Sequence, residues 1–79
     1  MILEYRTPNG TMVINADVFF LEASIGQIRK MLKGYRESGA RDEARDSLIR
    51  WLESQSLQEL GRRKKKYLRC LEIVKEILG

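Results

Sequence analysis

Arg62-Arg63-Lys64-Lys65-Lys66 is the densest charge run in the chain, and Arg69 follows one turn later if the segment is helical. Lysine and arginine at this density contact phosphates or acidic side chains without reading a nucleic-acid sequence. On a helix, Arg62, Lys65, Lys66 and Arg69 share the face opposite the leucines, and Arg63 flanks them. The competing reading is a solvated face that only keeps a helix dispersed. Glu59 is spaced to pair with Arg62 or Arg63, and Arg69 with Glu72, which favours that plainer role. Cations near a helix start oppose the macrodipole, at about 0.3–1 kcal/mol each, which stability alone would not favour. A second cluster, Arg29, Lys30, Lys33 and Arg36, lies toward the end of an earlier helix, where positive charge suits the dipole. It would extend the first cluster if the two helices lay side by side.

Other reactive side chains offer less. Cys70 is the sole cysteine, and a lone thiol beside a leucine row is more often a small buried hydrophobe than a nucleophile. Asp42 and Asp46 are spaced as neighbours on a helix, but they sit among arginines as ordinary surface charge. The chain has no histidine, cysteine pair, glycine-rich phosphate loop or nucleophile elbow. The expectation is therefore a non-enzymatic protein without metal or cofactor.

The elements that must carry these residues come from hydrophobic spacing. Residues 2–16 predict a β-hairpin, with Ile2–Arg6 and Met12–Ile14 as strands around Thr7-Pro8-Asn9-Gly10. A two-residue Asn9-Gly10 loop pairs Tyr5 with Ile14 and puts Leu3, Tyr5, Met12 and Ile14 on one face. A turn with Pro8 second and a glycine bulge pairs Tyr5 with Val13 instead. The cleaner apolar pattern favours the first register.

A first helix over 18–37 follows from Val18, Leu21, Ile25, Ile28, Leu32 and Tyr35, with Asp17 as N-cap. An alternative starts the helix at Ser24, which forms a capping box with Gln27 and leaves Val18–Leu21 extended. A second helix over 40–54 buries Ala44, Leu48, Trp51 and Leu52. Ser56 and Glu59 read as another capping box, so a third helix is expected over 57–78. Its apolar row runs through Leu57, Leu60, Lys64, Tyr67, Leu71, Val74 and Leu78, widened by Leu68, Cys70, Ile73 and Ile77. A single bent helix from 40 to 78 is the alternative. The predicted fold is thus mostly helical α+β, one small domain over 1–79, with the hairpin packed on three helices.

Length and charge bound the function. A chain of 79 residues buries one modest core, and domains of this size often lean on a second chain. The net charge of +4 is uneven: 24–39 and 57–79 carry +3 and +4, against −2 for 1–23 and −1 for 40–56. The longest apolar run, Val18–Leu21, is far below the ~20 residues of a membrane span. The start of the chain lacks the pattern of a signal peptide. A cytoplasmic location, in a cell or a phage-infected host, is the expectation.

Three functional readings remain. The first is a small protein-interaction factor, an adaptor or inhibitor of the size class common in phages and mobile elements. The second is a sequence-nonspecific nucleic-acid binder, since no Asn or Gln follows Gln58 in the third helix to read adenine. The third is a homodimer whose helices complete each other's cores. A macromolecular partner is expected in each, a protein before nucleic acid, and no membrane.

Overall fold

A computed structural model of the chain describes residues 1–40 and 42–79. Two antiparallel strands are followed by four helices: β1 Ile2–Thr7, β2 Gly10–Asn15, α1 Ala16–Glu22, α2 Ile25–Glu37, α3 Asp42–Gln58 and α4 Gly61–Leu78. The mostly helical α+β architecture matches the sequence expectation, with one helix more than the spacing indicated.

The hairpin adopts neither expected register. Tyr5 pairs with Met12 and Leu3 with Ile14, and the strands meet at Thr7 and Gly10. Pro8 and Asn9 are the turn residues, because proline presets the backbone angle wanted at the second turn position. Gly10 then takes φ +132, open only to glycine at little cost. The Thr7 hydroxyl fastens the turn, donating to the Gly10 carbonyl at 2.9 Å and accepting from the Asn9 N–H at 3.3 Å. The favoured register and the observed one differ by two residues, so the same side chains stay on the inner face. Leu3, Tyr5 and Ile14 are buried there, while Met12 remains 44% exposed.

The expected 18–37 helix is two helices. Asn15, not Asp17, caps α1, its side chain accepting from the Asp17 N–H at 3.1 Å. Ala23 and Ser24 are then extended, and α2 begins with the Ser24–Gln27 capping box, closed at 3.1 and 2.8 Å. The box satisfies N–H groups that a continuous helix would bond to the preceding turn, so the chain bends here despite an unbroken apolar period. The segment before the box is helical rather than extended.

The second break also moves. Expected at Ser54-Gln55-Ser56, it falls at Glu59–Leu60, so α3 runs through Ser56 and no single helix spans 40–78. The expected start of α3 near residue 40 takes in Arg41, outside the described residues. Ser56 is buried, its hydroxyl donating to the Glu53 carbonyl at 2.8 Å, and so it does not cap a helix start. Gly61, the first residue of α4, takes φ +60, a left-handed conformation that favours glycine, where the chain turns out of α3.

One core joins all elements. Phe20, Ile28, Leu32, Leu48, Leu52, Cys70, Ile73 and Val74 are fully enclosed. Trp51 lies 6.1 Å from Phe20 and 6.0 Å from Tyr67, so the aromatics belong to the packing rather than to a base-stacking platform. Gly34 admits Tyr5 against α2: a Cβ there would stand 3.3 Å from the ring. Among the described residues no helix is long and apolar enough to cross a membrane.

Candidate functional site

The basic run occupies the first turns of α4, which starts later than the spacing predicted. Arg62, Arg63 and Lys64 therefore lie directly at the helix N-terminus, with no acidic residue in the first turn and no side-chain cap from Leu60. The electrostatic penalty inferred from the sequence is thus greater than expected, because it falls off within a turn of the helix end.

The cations do not form one uniform face. Lys66 is half-buried, and its ammonium donates to the Ala23 carbonyl at 2.6 Å. One turn later the Cys70 thiol reaches the Phe20 carbonyl at 3.5 Å. Together they tie the end of α1 to α4, which makes Lys66 a structural residue. Arg63 pairs with Glu59 at 3.2 Å and Arg69 with Glu72 at 3.0 Å, both near the surface, where such pairs add little stability. Arg62 and Lys65 are exposed, with no partner recorded among the described residues. Arg62, Arg63 and Lys66 also border an open groove of about 560 Å³ whose other wall holds Asp17 and Glu22 of α1. That flank has mixed charge and would repel as well as attract a polyanion.

The second cluster lies on α2, beside the far end of α4. The contacts from Ala23 to Lys66 and from Arg36 to Ile77 show α2 and α4 running side by side in the same direction. Arg29 pairs with Glu76 at 3.2 Å, and Arg36 donates to the Ile77 carbonyl at 3.3 Å, so both fasten α2 to the last turn of α4. The Arg29 hydrogen bond and charge hold the Glu76 carboxyl below its ordinary value. Lys30 and Lys33 remain exposed. At 1.5 Å rise per residue Arg62 lies ~20 Å along α4 from Glu76, but Arg69 is only ~10 Å away, and both it and Lys33 act on the Glu76 carboxylate, so the two clusters approach one another there.

Periodicity placed Leu57 and Leu60 on the inner row, and the structure corrects this. They are 80% and 84% exposed, the most open large hydrophobics recorded. The cause is the later break: Leu57 is in the last turn of α3 and Leu60 in the connection, so neither shares the phase of α4. The inner row of α4 is Tyr67, Cys70, Ile73, Val74 and Ile77, with Leu71 and Leu78 at its margin and Lys64 half-buried. Gly61, read as a helix breaker, was the available signal that both leucines precede α4. The α3–α4 corner thus presents two uncovered leucines close in sequence to the exposed cations Arg62 and Lys65.

Burial pushes the Cys70 thiol up to about 11, with Lys66 and Arg69 opposing weakly, so this sulfur is a poor nucleophile. Among the described residues no group of three or more Cys, Asp or Glu gathers as metal ligands would. No family model, curated protein or solved structure matches this chain.

Proposed function

We propose that the chain is a non-enzymatic protein-interaction factor, an adaptor or inhibitor, that docks through the α3–α4 corner and the first turns of α4. The observation that carries this reading is the exposure of Leu57 and Leu60 next to Arg62 and Lys65. Apolar side chains that enter a partner's recess, ringed by charges that set orientation, are how compact protein interfaces concentrate their energy. The occupant that fits is an acidic protein surface with an apolar pocket. A nucleic-acid backbone would use the cations and leave both leucines in water.

Phosphate binding is the second reading, supported by the same uncompensated first turn of α4. Affinity enrichment of the tagged chain, with and without nuclease, separates them when run beside an Arg62→Glu/Lys65→Glu variant. Retention of one defined protein after nuclease, lost in the variant, supports a protein partner. Loss of all partners on nuclease treatment, or binding whose logarithm falls steeply with that of salt concentration, assigns the face to phosphates.

A further inference from the structure

Among the described residues no further strand pairs with either edge of the hairpin, and the edges differ. The Ala16 N–H bonds the Met1 carbonyl at 2.9 Å, which makes that pair hydrogen-bonded and sets the alternation along the ladder. Leu3 with Ile14, and Tyr5 with Met12, then exchange bonds, while the backbone groups of Ile2, Glu4 and Arg6 on β1 and of Thr11, Val13 and Asn15 on β2 point outward. The β1 edge carries Glu4 and Arg6, charges of the kind that guard a free edge against pairing. The β2 edge, from Gly10 to Asn15, has no charge and no proline. Among the described residues nothing outside the hairpin bonds the Thr11 or Val13 backbone.

We infer that β2 pairs with β2 of a second copy, antiparallel and centred on Val13, joining two hairpins into a four-stranded sheet. The strand is complementary to itself in this register. Val13 faces Val13 of the second copy, Thr11 faces Asn15, and Met12 faces Ile14 on the inner side. The last pairing covers Met12, the one inner-face residue that the hairpin leaves 44% exposed, and the first covers Val13, 60% exposed. The same operation on β1, centred on Glu4, sets two carboxylates directly opposite, which is repulsive. An open groove of about 430 Å³ borders β2, lined by Val13 and Asn15 and by Val18, Phe19 and Glu22, so α1 does not fill the flank of this strand. A two-stranded sheet is marginal in water and four strands are not, so the pairing also supports the element that closes the core over Leu3 and Tyr5. The pairing is centred on β2 and uses neither Leu57, Leu60 nor the α4 cations, although Val18 and Glu22 border both grooves, so either proposal can fail without the other.

Sedimentation over a wide concentration range, combined with edge variants, tests this. The wild type is expected to shift from monomer to dimer with concentration. Val13→Pro removes only an outward N–H and keeps the β1–β2 ladder, and Val13→Lys opposes two cations at the two-fold; each should weaken the dimer at least tenfold. The matching β1 change, Glu4→Lys, should leave it intact. Val13→Cys should form an interchain disulfide, since hydrogen-bonded pairs hold their Cα atoms about 5.5 Å apart, within disulfide reach, and Cys70 is buried and out of play. A monomer at every concentration, or a dimer that survives both Val13→Pro and Val13→Lys, overturns the proposal.

Discussion

Replacing Lys66 with methionine tests whether this cation belongs to the fold or to a free basic face. Methionine keeps the apolar stem and volume and removes only the ammonium. The ammonium makes a 2.6 Å bond to the Ala23 carbonyl, where α1 ends. Hydrogen bonds to charged donors contribute about 1.5–3 kcal/mol, and a cation at a helix end adds a few tenths. Lys66 is only half-buried, so water recovers part of that once the ammonium is gone. The net loss should be ~1–2 kcal/mol. For a domain of this size, 1 kcal/mol moves Tm by about 4–8 °C, so a drop of ~5–15 °C is expected. Lys65→Met is the control: one residue away, exposed and near the helix start, it should leave Tm unchanged or raise it slightly. Thermal and urea unfolding followed by circular dichroism at 222 nm would measure both. If the two variants agree within about 0.3 kcal/mol, the Lys66–Ala23 bond is not held in solution and Lys66 returns to the set of available cations.

Two glycines of α2 should respond differently. A Cβ at Gly26 meets only the Ser24 hydroxyl at 3.9 Å, so Gly26→Ala should stabilise by about 1 kcal/mol in urea unfolding. At Gly34 the same Cβ lies 3.3 Å from the Tyr5 ring, so Gly34→Ala should lose that gain and loosen the hairpin, seen as faster amide exchange in β1. Stability should fall at alkaline pH. Burial raises Cys70 from 9.0 to about 11 and also raises Tyr5, Tyr35 and Tyr67, so the unfolded chain releases these protons first. The Cys70 contribution is complete below about pH 9 and is lost as pH climbs through about 11, which a urea midpoint series would follow. At pH 8, thiol alkylation should be slow in the folded protein and fast in denaturant.

The fold was legible where local chemistry and periodicity agreed. The hairpin and its inner face could be read because turn residues stand between two alternating strands, although both registers offered were off, and the Ser24–Gln27 box stood only as the alternative to one long helix. Periodicity misled where two helices happened to continue one apolar phase. Val18 through Ile28 kept a three-four spacing across Ser24, and Leu57 through Leu71 kept it across Gly61, so both breaks were read through or displaced. In each case a strong local signal, a capping box or a left-handed glycine, outweighed the longer pattern. The candidate site was legible in composition but not in pairing. The cations could be counted from the sequence, but bonds from Lys66 to Ala23 and from Arg36 to Ile77 span 43 and 41 residues and depend on how α2 and α4 pack. The exposure of Leu57 and Leu60 was hidden because leucine at helical spacing is usually core.

Leu60→Ser separates stability from binding most directly. Leu60 holds the N-cap position of α4 with φ −129 and ψ 164 and makes no side-chain cap, so serine should cap the helix and stabilise it by ~1 kcal/mol. The change leaves every charge in place. The measurement is binding of wild type, Leu60→Ser and Leu57→Ser/Leu60→Ser to the protein retained after nuclease treatment. A chain that docks through these leucines should give variants that fold as well as or better than wild type and bind it at least tenfold more weakly. Variants that bind as tightly as wild type would show that the corner is not the contact and contradict the account.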